Sequence, residues 1–132
     1  KMSIFKTHSA EILVLLFFII TYFLSVLEKL EDWKGAISYY SNHFKNTILY
    51  KMIPLLLINI LIFEIAALVL LTFGLYFLVT EGNLIVAQIG LEISAITLLQ
   101  FLVGQRLAKD YPGAMNITIY FILNIIGIYL LT

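Results

Sequence analysis

Four long runs of apolar residues, separated by short polar segments, dominate the chain. They cover about residues 9–27, 53–79, 84–104 and 114–131. A helix needs roughly 20 mostly apolar residues to cross about 30 Å of hydrocarbon, and each run is of that order. The pattern therefore predicts an all-α fold: an integral membrane four-helix bundle that forms one domain over residues 1–132.

A fifth segment, about residues 32–50, is amphipathic with the period of a helix. Its apolar side is mostly aromatic and comprises Trp33, Ile37, Tyr40, Phe44 and Ile48. Its polar side comprises Lys34, Ser38, Ser41 and Lys45. With Asp32 as the expected N-cap, we interpret the segment as an amphipathic interfacial helix between the first and second spans. The alternative is a helix that packs on the end of the bundle as structural cover.

The connections between spans predict which helices are neighbours. Residues 80–83 form only a short turn, so the second and third spans are expected to return beside each other as a helical hairpin. Pro112 and Gly113 are strong turn residues before the fourth span. Pro54 lies in the first turn of the second span, where a helix accepts proline.

Composition agrees with a membrane location and reduces the number of functions that the chain could have. Hydrophobic residues make up 62% of the chain and charged residues 12%, whereas a soluble domain carries about 25% charged residues. The net charge is zero, which gives no argument for nucleic-acid binding. The chain has no cysteine, and His8 and His43 lack ligand-like spacing. We therefore expect no catalytic set of residues and no metal site, which favours a protein that is not itself an enzyme.

Two carboxylates, Glu64 and Glu92, lie inside the second and third spans. An ionised carboxylate there costs about 2.5–3.5 kcal/mol on insertion scales, so each is expected to face the bundle interior or a partner. At 1.5 Å per residue their depths in the membrane differ by only about 5 Å. We expect antiparallel neighbours to bring both carboxyls into one polar pocket with a shared proton, because like charges disfavour joint ionisation. A structural role for the pair stays open.

Other polar and small residues follow the same helix faces. The candidate intramembrane polar pocket comprises Glu64, Gln88, Glu92, Asn116, Tyr120 and Asn124. A stripe of small residues in the third span comprises Gly90, Ser94, Thr97 and Gly104. Small residues let helices approach closely, and amides form hydrogen bonds between helices. Packing is therefore the alternative to a binding site.

Basic residues predict the orientation in the membrane. The first and third connections carry six of them, namely Lys29, Lys34, Lys45, Lys51, Arg106 and Lys109, and the other side carries Lys1 and Lys6. The positive-inside rule therefore places both basic connections in the cytoplasm and both termini outside. In the third connection, Arg106, Lys109 and Asp110 are a candidate interfacial docking site for a partner or an anionic headgroup. The alternative is local anchoring of the helix end.

Two segments resemble a known family. Residues 23–35 read FLSVLEKLEDWKG, and residues 104–114 read GQRLAKDYPGA. With four spans, the chain resembles, over nearly its whole length, the DoxX-like family of small bacterial membrane proteins. That family includes relatives of MauE and of the small subunit of thiosulfate:quinone oxidoreductase. The resemblance implies a four-helix domain of the bacterial inner membrane that works beside redox or maturation partners, with a quinone as candidate cofactor.

Three functions remain open at the level of the sequence. The first is a non-enzymatic accessory or scaffold subunit of a larger inner-membrane assembly, surrounded by the lipid bilayer and bound to a protein partner or a second copy. The second is the membrane subunit of a quinone-linked oxidoreductase, which the family resemblance supports. The third is a proton-coupled carrier of a small solute or lipid, which the intramembrane carboxylates would suit.

Overall fold

The computed structural model describes the backbone of residues 2–132 and the side chains of residues 6–132. Lys1, which enters the predicted orientation, lies outside the described residues. Within the described chain, 89% of the structure is helical and there is no strand. The five helices are α1 (Met2–Glu31), α2 (Trp33–His43), α3 (Ile53–Glu81), α4 (Ile85–Leu107) and α5 (Tyr111–Leu131), and a single 3₁₀ turn (Tyr50–Met52) precedes α3.

Four of these helices are long and apolar enough to cross a membrane: α1, α3, α4 and α5. Each overlaps one of the four predicted spans almost completely, so the prediction of an all-α chain with four helices long and apolar enough to span a membrane is confirmed. The observed helices extend beyond the predicted spans by a turn or less at most ends. The exception is the start of α1, which has a kink at His8, where the backbone is not helical.

The spanning helices form a four-cornered bundle. α3 packs most extensively on α4, as the short turn between them predicts, and α4 also packs on α5. α1 packs on α3 and, less extensively, on α5. α3 and α5 each pack on both α1 and α4. Therefore α1 and α4 lie at opposite corners of the bundle, as do α3 and α5.

The close packing of α3 on α4 depends on small residues. A Cβ atom added at Gly74 would lie 2.5 Å from the backbone of Ala87, so only glycine allows this approach. Gly90, from the predicted small-residue stripe, faces Leu71 in the same way. The hairpin turn itself is closed by Gly82, which has φ of +68° and donates its backbone N–H to the Leu78 carbonyl.

α2 begins as predicted and ends early. The Asp32 side chain accepts a hydrogen bond from the backbone N–H of Gly35 at 3.0 Å, which confirms the expected N-cap. The helix stops at His43 rather than near residue 50. The reason is Thr47, whose hydroxyl donates to the Phe44 carbonyl and accepts from the Leu49 N–H, because such local bonds compete with the helix. The location of α2 in the headgroup region stays a prediction.

Candidate functional site

A buried ion pair joins α1 to α3. Glu64, 1% exposed, places Oε1 2.9 Å from Nζ of Lys29, which is 6% exposed. The Ser25 hydroxyl donates to Glu64 Oε2 at 2.6 Å and accepts from Lys29 Nζ at 2.7 Å. The three side chains therefore form a closed triangle in which each oxygen of the carboxylate faces a positive or polar partner. This arrangement is what a buried charge requires to be stable.

A second polar cluster lies deeper in the bundle and joins α1, α4 and α5. The hydroxyls of Tyr22 and Ser94 are 2.8 Å apart, and Asn124 Nδ2 donates to the same Ser94 oxygen at 2.7 Å. All three side chains are buried. Oδ1 of Asn124 is buried without a hydrogen-bond partner among the described residues. The cluster fixes the relative positions of three helices, as interhelical hydrogen bonds do in lipid.

An apolar cavity opens beside the ion pair, at the end of the bundle that α2 covers. Its volume is about 540 Å³, within the roughly 300–1,000 Å³ that small-molecule sites occupy. The walls come from α2, α3, α4 and α5 and are mostly aliphatic or aromatic; they include Phe44, Ile53, Leu57, Ile60, Phe101 and Ile117. A largely apolar cavity with a few polar groups is the usual form of a ligand site.

The polar groups of the cavity converge from three helices. Asn59 on α3 donates to Gln100 on α4 at 2.9 Å across the cavity wall. His43 at the end of α2 places Nε2 3.4 Å from Oδ2 of Asp110. Gln105 also lines the cavity, and its Oε1 is buried without a hydrogen-bond partner within residues 6–132. The lining of an otherwise apolar space therefore includes two pairs of polar side chains that contact each other and one unpartnered acceptor, Gln105 Oε1.

Tyr40 separates this cavity from the ion pair. It lines the cavity and also a second pocket that contains Ser25 and Lys29. Burial raises the pKa of the Tyr40 hydroxyl above its ordinary value of 10.0, and the negative charge of Glu64 raises it further. The hydroxyl therefore stays protonated and can donate a hydrogen bond throughout the physiological range of pH.

The structure separates the two intramembrane carboxylates that the sequence places in one pocket. Glu64 is buried against Lys29, whereas Glu92 is exposed on the outer surface of α4. No hydrogen bond or ion pair joins them within the described chain. The reason is the face of α4: at about 100° per residue, Glu92 points about 160° away from buried Gly90 and Ser94.

The other residues of the predicted pocket are also dispersed. Asn124 is fully buried in the Tyr22 cluster, and Tyr120 is half-buried and packs its ring near Phe17. Gln88 is half-buried, and Asn116 is exposed. The predicted set therefore does not form a single pocket, and within it only Glu64 and Asn124 belong to buried polar clusters.

The predicted docking residues have local partners in part. Asp110 is the N-cap of α5, where its Oδ1 accepts the Gly113 N–H at 3.0 Å. Arg106 lies over the ring of Tyr111, 5.5 Å from its centre, and Lys109 is exposed with φ of +59°. Asp110 and Arg106 therefore have local contacts, and the side chains of Arg106 and Lys109 are both exposed.

Sequence reasoning missed Lys29 as the partner of Glu64, and it missed the cavity. A signal for Lys29 was present, because Leu15, Phe18, Tyr22 and Lys29 follow one another at spacings of three, four and seven residues. That spacing continues the buried face of α1. The cavity had no local signal, since four helices form its walls.

Comparison of the chain with protein-family models, with curated proteins and with solved structures finds no match.

Proposed function

We propose that the chain is a non-enzymatic subunit of a larger bacterial inner-membrane assembly and that it binds a quinone-like, lipid-soluble molecule. The observation that carries the proposal is the apolar cavity of about 540 Å³ with a few polar side chains in its lining. The resemblance to the DoxX-like family, whose relatives include a quinone-linked subunit, supports the same ligand class.

The chemistry of the cavity suits a ring with carbonyl groups. Quinone carbonyls accept hydrogen bonds, and the Tyr40 hydroxyl and the Gln105 amide in the cavity lining are the candidate donors. The aromatic walls suit a flat ring, which prefers offset or edge contacts with Phe44 and Phe101. An apolar tail would leave through the open side into lipid. This part of the proposal relies on the predicted interfacial position of α2, which would put the opening at the edge of the bilayer.

The test is retention of a short-chain quinone by the purified chain. Decylubiquinone is added to protein in dodecyl maltoside, and the bound amount is counted after gel filtration. Ile60→Trp fills the cavity and is expected to reduce retention at least about tenfold, which corresponds to 1.4 kcal/mol. Ile58→Trp is the matched control, because Ile58 lies two residues away on the same helix but is 45% exposed on the outer surface.

The control must retain quinone as the unchanged chain does, and both variants must elute as folded, helical protein. Equal retention by the two tryptophan variants would show that the quinone associates with the outer surface, and this would refute the proposed site. Phospholipid alone in the organic extract of the wild-type protein, with no retained quinone, would also refute it.

A further inference from the structure

The outer surface of α4 carries a regular apolar stripe with one carboxylate in it. The stripe comprises Ile85, Ile89, Glu92, Ile96, Leu99 and Val103. Successive members are four, three, four, three and four residues apart, which is the spacing of a helix–helix seam. Every member is exposed, and the apolar ones range from 42% to 63%. No described helix of the chain covers this face.

Glu92 has no partner of its own. It lies seven residues after Ile85, about 10 Å along α4 and so within the hydrocarbon region. The ion pairs of the described residues involve other side chains, and no hydrogen bond to Glu92 is present in that part of the chain. A carboxylate that faces lipid at this depth is strongly unfavourable. Its position is explained if another molecule covers it.

We infer that this stripe docks a partner transmembrane helix that carries a lysine or an arginine at the depth of Glu92. The inference rests on the proposed role of the chain as a subunit of an assembly. Charge complementarity selects the partner: a cation on the facing helix neutralises the carboxylate, and apolar residues on either side fill the seam. The seam spacing favours a crossing angle near +20°, common among membrane helices.

A second copy of the chain fits the stripe less well. Copies that share one orientation in the membrane would be related by an axis along its normal, and this axis brings like residues of α4 together. Glu92 would then face Glu92 in an apolar seam, and like charges oppose each other strongly there. A basic partner removes this conflict.

The test uses the full chain and a defined peptide in phosphatidylcholine vesicles. The chain has no cysteine, so Thr132→Cys accepts a single donor dye near the end of α5, on the same side of the bundle as the start of α4. The peptide is a leucine-rich transmembrane helix with one lysine about 10 Å from its labelled end. Energy transfer is measured as a function of peptide density. We expect the peptide to bind the wild-type chain roughly threefold to thirtyfold more tightly than it binds Glu92→Leu.

Two controls separate the seam from general association. A peptide with leucine in place of lysine must lose its preference for the wild-type chain over Glu92→Leu. Ile96→Ala is expected to weaken binding of the lysine peptide, whereas Ile126→Ala, an isoleucine of similar exposure on α5, is expected to leave it unchanged. Glu92 faces outward, so Glu92→Leu is expected to keep the helical signal of the wild-type chain.

Equal binding of the lysine peptide to wild type and Glu92→Leu would overturn the inference. Self-association of the chain that Glu92→Leu abolishes would also overturn it, because it would assign the stripe to a second copy. Peptide binding does not require quinone. A chain that binds the peptide but retains no quinone would refute the proposed ligand and leave the docking surface standing. A chain that retains quinone but binds the peptide no better than Glu92→Leu does would refute the docking surface and leave the proposed ligand standing.

Discussion

Lys29 supplies the counter-charge that allows Glu64 to be buried inside the bundle. It lies near the end of α1, where a lysine ordinarily extends toward headgroups. Here it turns inward to Glu64 and Ser25 and is almost fully buried. The Glu64 carboxylate, which would be unfavourable as a lone charge in lipid, is thereby held in an ion pair between α1 and α3.

Removal of the Lys29 cation alone is expected to lower the free energy of unfolding more than removal of both charges does. Lys29→Met leaves Glu64 buried without its counter-charge, so the free energy of unfolding should fall by about 3–5 kcal/mol. The double variant Lys29→Met/Glu64→Leu should recover most of this loss, because no buried charge remains. Unfolding in dodecyl sulfate, followed by the fluorescence of the single tryptophan, measures both values.

Lys34→Met is the matched control, since Lys34 is an exposed lysine on α2. Its unfolding should match that of the unchanged chain. Equal losses in the single and the double variant would contradict the ion pair as the source of the effect.

At the scale of residues, the sequence predicts that a charged side chain must be buried in the bundle better than it predicts which residue pairs with it. That Glu64 requires the bundle interior follows from the cost of a charge in lipid, and the structure agrees. The sequence predicts a shared pocket with Glu92 on α4, whereas the observed partner, Lys29, lies on α1, 35 residues earlier. For Glu92 the small residues Gly90 and Ser94 already marked the opposite face of α4 as the inner one. The local periodicity of α4 therefore predicts the outward position of Glu92 better than the general cost of a carboxylate in lipid does.

At the scale of elements, the contact of α3 with α4 is the tightest in the bundle. It depends on Gly74, where an added methyl group would lie 2.5 Å from the backbone of Ala87. Backbone cannot move aside as a flexible side chain can, so the two helices would have to separate.

Gly74→Ala is therefore expected to lower the free energy of unfolding by about 1–3 kcal/mol, as overpacking of a close contact does. Gly104→Ala is the matched control, because a methyl group there meets only the Phe44 ring at 3.4 Å. The same dodecyl sulfate titration compares the two. If the two glycine variants unfold alike, the close approach of α3 and α4 is not what Gly74 provides.

Helix existence and order were predictable because lipid requires long apolar runs, and the four runs are unambiguous. The end of α2 was not, since it depends on hydrogen bonds of Thr47 that compete with an otherwise suitable helical pattern. The cavity was not predictable either. It arises where α2 fails to fill the space between the ends of α3, α4 and α5, and no single segment encodes that gap.

For the whole molecule, the connection that contains α2 and the connection between α4 and α5 lie at one end of the bundle. Most of the basic residues of the chain lie there, so this end is expected to face the cytoplasm. In intact bacterial cells, an impermeant maleimide should label Glu81→Cys at the opposite turn and leave Asn46→Cys unmodified until the cells are opened. The reverse labelling would contradict the orientation.

The ion pair between α1 and α3 has a consequence for the order in which the chain enters the bilayer. Synthesis proceeds from the N-terminus, so Lys29 reaches the membrane before Glu64 does. While it waits, Lys29 can extend to the headgroups at little cost, because it lies near the end of its helix. When α3 inserts, a cation for its Glu64 carboxylate is already in place, so α3 does not have to hold an unpaired charge in the hydrocarbon. In this order of insertion, α1 provides the binding partner of α3 before α3 enters the bilayer.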